Sequence, residues 1–195
     1  MSHYPNAQFL TSADKAHQFC PDLGAEVAFA GRSNAGKSSA INAIVNRRQF
    51  ARTSKTPGRT QLVNFFTLSE ETRLVDLPGY GFAKVADRKK DHWRGLMNAY
   101  FLERKSLTGL FLIVDIRRGM QEFDLQMIEL AANESRALHV LLTKADKFKR
   151  GAQNEAKFAA ERLLPEGATL QLFSATKKSG LEEARSRLDA MLAVE

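Results

Sequence analysis

The octapeptide Gly31-Arg-Ser-Asn-Ala-Gly-Lys-Ser38 constrains this chain more than any other stretch, because of what stands on either side of it. It fits the spacing G-x-x-x-x-G-K-[ST]. The apolar run Glu26-Val-Ala-Phe-Ala30 precedes it, and a helical pattern over 37–46 opens at its end. A strand that feeds a glycine-rich turn and then a helix N-terminus makes a cradle for phosphate. Successive backbone N–H groups converge on the anion, and the helix adds partial positive charge beneath it. In that arrangement Gly31, Arg32, Ser33, Asn34, Ala35 and Gly36 form the cradle, Lys37 spans the β- and γ-phosphates, and the Ser38 hydroxyl is a magnesium ligand. A glycine turn ahead of a plain core helix competes poorly with this reading, since it needs neither the lysine nor the hydroxyl.

The rest of the chain repeats the alternation. Further apolar runs at 62–66, 72–76, 110–114, 138–142 and 169–173 read as strands. Helical patterns lie at about 91–104, 124–135, 152–163 and 181–194. In the last, Leu181, Ala184, Leu188, Met191 and Leu192 make one apolar stripe. Most of the strands are apolar on both faces, as strands between two helical layers must be. The expected fold is α/β: a mostly parallel six-stranded sheet with helices on both faces. The five residues between 66 and 72 are too few for a crossover helix, so that pair should be an antiparallel hairpin at one edge. A length of 195 residues suits one domain, expected over 25–195, with 1–24 an extension packing on it.

Composition narrows the surroundings. No run approaches the eighteen or so apolar residues that span a bilayer. Residues 1–5 carry neither a basic nor an apolar leader segment. Cys20 is the single cysteine, so neither a disulfide within the chain nor a cysteine zinc site is available. A reducing cytoplasm is the expectation. The net charge of +7 is concentrated: residues 47–94 hold eleven Lys/Arg against five Asp/Glu, an excess of six. Single basic clusters are ordinary solvated surface, but an excess this local favours a polyanionic partner such as RNA.

Three more segments, in order, choose the nucleotide. Asp76-Leu77-Pro78-Gly79 ends the third strand, where the aspartate can hold magnesium through water and the Gly79 N–H can sense a γ-phosphate. Thr143-Lys144-Ala145-Asp146 ends the fifth. The Asp146 carboxylate can accept from N1–H and the exocyclic amine of guanine; adenine has no such donor pair, and the carboxylate would be left unpaired. The Lys144 stem would cover one face of the base. Phe173-Ser174-Ala175 follows the sixth strand, with backbone N–H groups available to guanine O6. Before the second strand, Ser54-Lys-Thr-Pro-Gly-Arg-Thr60 reads as a loop suited to ordering with nucleotide state; Gly58, Arg59, Thr60, Gln61 and Leu62 are candidate nucleotide contacts, and Thr60 can add its hydroxyl to the magnesium shell when a γ-phosphate is present.

Taken together, Gly31-Arg-Ser-Asn-Ala-Gly-Lys-Ser-Ser39, Ser54-Lys-Thr-Pro-Gly-Arg-Thr-Gln61, Val75-Asp-Leu-Pro-Gly-Tyr-Gly81, Leu142-Thr-Lys-Ala-Asp-Lys147 and Phe173-Ser-Ala-Thr-Lys-Lys178 resemble the signatures of the translation-factor-related GTPases, and specifically the bacterial EngB (YihA/YsxC) family of ribosome-biogenesis GTPases. The resemblance runs from about residue 8 to the C-terminus. Ala35 and Phe82 depart from it, standing where Val and Tyr are expected. It implies a Ras-like domain that binds GTP and GDP, assists assembly of the large ribosomal subunit, and is needed for normal growth, division and septation.

On hydrolysis, the position after the D-x-x-G turn, where efficient GTPases place a water-orienting Gln, is Tyr80. Slow intrinsic turnover follows, stimulated by a partner or by potassium, with Lys37, Thr60 and Asn34 as the catalytic set. Asn34 stands where related GTPases hold potassium; a simple loop hydrogen bond is its other reading. Arg47, Arg48, Arg52, Lys55 and Arg59 flank the first mobile loop, and Lys84, Arg88, Lys89, Lys90 and Arg94 the second, as candidate contacts to rRNA. His3, His17, His92 and His139 show no metal-ligand spacing and read as structural or surface residues. Trp93, Tyr100 and Phe101 read as core or a partner-facing helix. A monomer is expected. The competing readings are a membrane- or divisome-associated signalling GTPase, disfavoured by the lack of an anchor, and a P-loop ATPase or kinase, disfavoured by Asp146.

Overall fold

A computed structural model describes residues 3–51, 62–81 and 87–193, with the backbone alone over 87–90. Seven strands form one sheet: β1 (Gln8–Ala13), β2 (Ala25–Gly31), β3 (Val63–Thr67), β4 (Thr72–Asp76), β5 (Leu107–Asp115), β6 (Ala137–Thr143) and β7 (Thr169–Leu172), in the order β1-β3-β4-β2-β5-β6-β7. Pairings β2–β4, β2–β5, β5–β6 and β6–β7 are parallel. The helices are α1 (Lys37–Val45), α2 (Asp87–Glu103), α3 (Glu122–Asn133), α4 (Arg150–Glu161) and α5 (Leu181–Leu192).

Alternation along the strands divides the core. From β2, Val27 and Phe29 face α1 and α5, meeting Ile41, Ile44 and Leu188. Ala28 and Ala30 face the opposite layer, with Met97, Tyr100 and Phe101 of α2 and Met127 and Ala131 of α3. Both faces of the central strands are thus covered, the arrangement a parallel sheet requires.

The sequence-based expectation of a mostly parallel sheet with helices on both faces matches this architecture. The strand count is seven rather than six, because residues 8–13 pair antiparallel with β3. The β3–β4 hairpin is antiparallel as expected, but β1 covers its outer side, so β3 is not the edge. The run Gln8-Phe-Leu-Thr-Ser-Ala13 gives little periodic signal because only Ala13 is fully buried; the strand exists through pairing and through the Phe9–Phe66 ring contact, with centroids 5.7 Å apart.

At the N-terminal end of the strands lies a buried polar cluster. Glu26, with no exposed surface, accepts from Arg73 Nε at 2.7 Å, Arg104 Nε and Nη2 at 2.8 and 2.6 Å, and the Tyr100 hydroxyl at 3.2 Å. Arg104 Nη1 also donates to the Cys20 carbonyl at 2.7 Å, tying the N-terminal segment and the end of α2 to the sheet. A buried carboxylate needs such partners, since burying a bare charge costs several kcal/mol, roughly.

Candidate functional site

At the other end of the sheet, the C-terminal ends of β2, β4, β5, β6 and β7 bring five loops together, where ligands bind in open α/β sheets. The loop from β2 to α1 is the predicted phosphate cradle. Gly31 packs so closely on β5 that a Cβ there would lie 2.6 Å from the Ile113 carbonyl oxygen. Gly36 caps α1 with φ +102°, a conformation that side chains rarely adopt. Asn34 is left-handed as well, with φ +64°. Lys37 begins α1, and its ammonium pairs with the carboxylate of Asp76 at the end of β4; their side chains are 12% and 8% exposed. Ser38 follows it in the first turn of α1.

The Asp76–Gly79 turn is fastened to the cradle. Leu77 N–H donates to the Phe29 carbonyl at 3.0 Å, Ser33 N–H to the Tyr80 carbonyl at 3.0 Å, and Arg32 bridges Tyr80 in parallel fashion. Pro78 accepts from the Trp93 indole N–H at 3.2 Å. Tyr80 is 4% exposed and turned into the helical layer: its hydroxyl donates to Asp124 Oδ1 at 2.6 Å, and its ring meets Trp93 and Phe123. Burial, then the Asp124 charge, pushes its phenol pKa well above 10.0.

The loops predicted to read the base join on the far side. The Thr143 hydroxyl donates to the Ala35 carbonyl and lies 3.1 Å from that of Val114. Lys144, left-handed with φ +60°, donates from Nζ to the Asn34 carbonyl at 2.6 Å and to Asp115 Oδ2 at 2.8 Å. Ala145 N–H donates to the Phe173 carbonyl at 3.1 Å. Asp146 Oδ1 accepts from the Ser174 hydroxyl at 2.6 Å, the main reason its pKa lies below the usual carboxylate range. Ala175 follows Ser174 in that loop.

The structure therefore brings Gly31–Ser38, Asp76–Gly79, Thr143–Asp146 and Phe173–Ala175 to one end of the sheet. Leu62 is half-buried just before β3; Gly58, Arg59, Thr60 and Gln61 lie outside the described residues. Among the basic flanking residues, Arg47 is engaged by the carbonyls of Pro5 and Ala7, and Arg94 pairs with Asp91 at 3.5 Å. Arg52, Lys55 and Lys84 fall outside the description, as do the side chains of Arg88, Lys89 and Lys90. Sequence reading passed over Asp115 and Asp124. A carboxylate closing an apolar strand at the binding end of an α/β sheet is the signal that marks Asp115.

Fold and loops define the class: a Ras-like P-loop GTPase fold. Residues 26–144 match the family model described as 50S ribosome-binding GTPase. A protein of Nitrosococcus oceani named "Probable GTP-binding protein EngB" is 50% identical over 196 residues, covering 99% of this chain and 98% of its own. One of the same name from Coxiella burnetii is 47% identical over 188 residues, 95% and 92% of the two chains. A crystal structure of "a probable GTP-binding protein engB" superimposes with a TM-score of 0.70 at 22% identity, covering 86% of this chain and 98% of that one. Era from Aquifex aeolicus, bound to GDP and aluminium fluoride, gives 0.66 at 18% identity over 89% of this chain and 58% of its own. The chain belongs to the EngB family of GTP-binding proteins. No helix among the described residues is long and apolar enough to cross a membrane.

Proposed function

We propose that this GTPase cycles slowly between GTP and GDP with magnesium, and that it uses the cycle in the cytoplasm to assist assembly of the large ribosomal subunit, on which normal division and septation depend. The observation that carries the nucleotide roles is the convergence of Asp146, oriented by Ser174, with a phosphate loop to which Thr143 and Lys144 are directly bonded. In this reading Asp146 takes the two donors of the guanine edge, Lys144 covers the base, and the backbone N–H groups of 173–175 address O6. Lys37 neutralises phosphate charge.

The oxygen donors fit magnesium. A hydroxyl at Ser38 and a carboxylate at Asp76 are the hard ligands this cation takes, and Asp76 already holds a cation, the Lys37 ammonium. Thr60 completes the proposed set. Magnesium, when bound, supplies charge neutralisation on phosphate oxygens. Tyr80, committed to Asp124, cannot orient water, which supports slow intrinsic turnover. Asn34 is the proposed potassium contact; single-turnover hydrolysis in potassium and in sodium tests it, and equal rates remove it.

Ribosomal action is supported by the family description and by the basic excess in 47–94, in which Arg48, Arg94 and the residues outside the description remain the candidate rRNA contacts. Cosedimentation with large-subunit precursors is the test. Retention with a non-hydrolysable GTP analogue, release with GDP and a steep loss with salt are expected; equal retention in both nucleotides overturns the coupling.

A further inference from the structure

The carboxylate of Asp115 closes a line of contacts that crosses the site. Asp115 ends β5 in register with Thr143 of β6, and its side chain is 4% exposed. Oδ2 accepts from Lys144 Nζ at 2.8 Å, and that same ammonium donates to the Asn34 carbonyl of the phosphate loop at 2.6 Å. Arg117 grips the carboxylate from the other side, Nε to Oδ1 at 2.9 Å and Nη2 to Oδ2 at 2.7 Å, with its own N–H at 3.1 Å from Oδ1. Burial alone would raise the acid's pKa, but the bonds from Arg117 and Lys144 hold it well below the usual carboxylate range, so it stays charged.

We propose that Asp115 is a positioning residue of the guanine pocket: its buried carboxylate clamps the Lys144 ammonium against the phosphate loop, so that the Lys144 stem is already in place when the base arrives. The inference rests on reading Lys144 as the residue that covers the base. A lysine stem has many rotamers, and ordering it during binding subtracts from affinity; ordering it beforehand does not. The Asn34 carbonyl is a single neutral acceptor. Asp115 adds the opposite charge at a position shielded from solvent, where screening is weak. Arg117, whose side chain is 47% exposed, ties the loop after β5 to the same carboxylate, while Lys144 reaches Oδ2 independently of it.

The test is a double-mutant cycle read by titration of the magnesium-containing full chain with ribose-labelled fluorescent GDP, and by competition with GTP. Asp115→Asn and Lys144→Met should each weaken both nucleotides by about tenfold, the effect of one lost charge-assisted hydrogen bond, leaving the GTP-to-GDP preference unchanged because the base is common to both. Combined, they should be no weaker than Lys144→Met alone. A multiplicative loss in the double variant, or no loss in Asp115→Asn, overturns the proposal. Wild-type affinity in Lys144→Met would instead remove the base-covering role and the inference with it. Arg117→Met should keep wild-type affinity; a tenfold loss there would assign the effect to loop anchoring and overturn the proposal. If Asp115→Asn does not fold, Asp115→Glu keeps a carboxylate for Arg117 while displacing Lys144, and serves the same cycle.

Discussion

The ammonium of Lys37 and the carboxylate of Asp76 are paired with each other across the gap between the phosphate loop and the end of β4. These are the two groups assigned to the triphosphate and to magnesium, so loading the site must separate them. The pair gives each of the two largely buried groups a counter-charge. Without it, a cation and an anion would each be buried alone, which is far more costly than burying them together.

Asp76→Asn should therefore act twice. In nucleotide-free protein it leaves the Lys37 ammonium largely buried without a counter-charge, lowering stability by on the order of 3 kcal/mol in urea denaturation. In the loaded protein it removes the carboxylate proposed to hold magnesium through water, so the gain in GTP affinity on adding magnesium should fall sharply. Unchanged magnesium dependence would take Asp76 out of the metal site.

Asp146→Asn should exchange guanine preference for xanthine, because the amide offers a donor where the carboxylate offered only acceptors; the discrimination should change by several orders of magnitude, roughly. Ser174→Ala should keep the guanine preference but weaken GDP binding by about tenfold, since the hydroxyl 2.6 Å from Oδ1 fixes the direction of the carboxylate. Competition titrations with GTP, xanthosine triphosphate and ATP separate the two effects.

What the sequence disclosed follows the range of each signal. The strand–loop–helix unit at 25–45 and the motifs at strand ends are local, and they appear where residue order places them. The less legible features depend on partners distant in sequence. Strand β1 is recognisable only beside β3, fifty residues on. Glu26 reads as the first residue of a strand until Arg73 and Arg104 are seen to close on it. Tyr80 was legible as a missing Gln but not as a buried anchor, because Asp124, 44 residues away, gives its hydroxyl a partner. Asp115 lacked a motif of its own, and its role emerges only when Lys144 folds over from the adjacent strand.

The Tyr80 anchor carries its own test. Tyr80→Gln restores the residue type used elsewhere to orient water, but the position faces Asp124, Trp93 and Phe123 in the helical layer. Single-turnover hydrolysis should be no faster than in the wild type. Stability should fall by roughly 3 kcal/mol, from lost ring packing and from a weakened bond to Asp124. Tyr80→Phe should cost about 1–2 kcal/mol, the hydroxyl alone. A faster rate in the Gln variant would mean that this side chain can reach the phosphates after all.

His139 contributes to how stability responds to acid. It is buried in β6 beside Phe111, with Thr169 Oγ1 at 2.7 Å from Nδ1 and Gln171 Oε1 at 2.9 Å from Nε2, and burial pushes its pKa down to about 4, from an ordinary 6.5. A histidine held neutral in the folded state but free to protonate once unfolded favours unfolding as protons are added. Its contribution is complete above pH 6.5 and lost progressively as the pH falls towards 4, by roughly 3 kcal/mol in all. His139→Leu removes that proton uptake. The variant loses two hydrogen bonds and should be less stable at pH 7.5, yet its stability should decline less between pH 6.5 and 4.5 than that of the wild type. Urea denaturation across that interval distinguishes the slopes; parallel curves would place the acid sensitivity in another group.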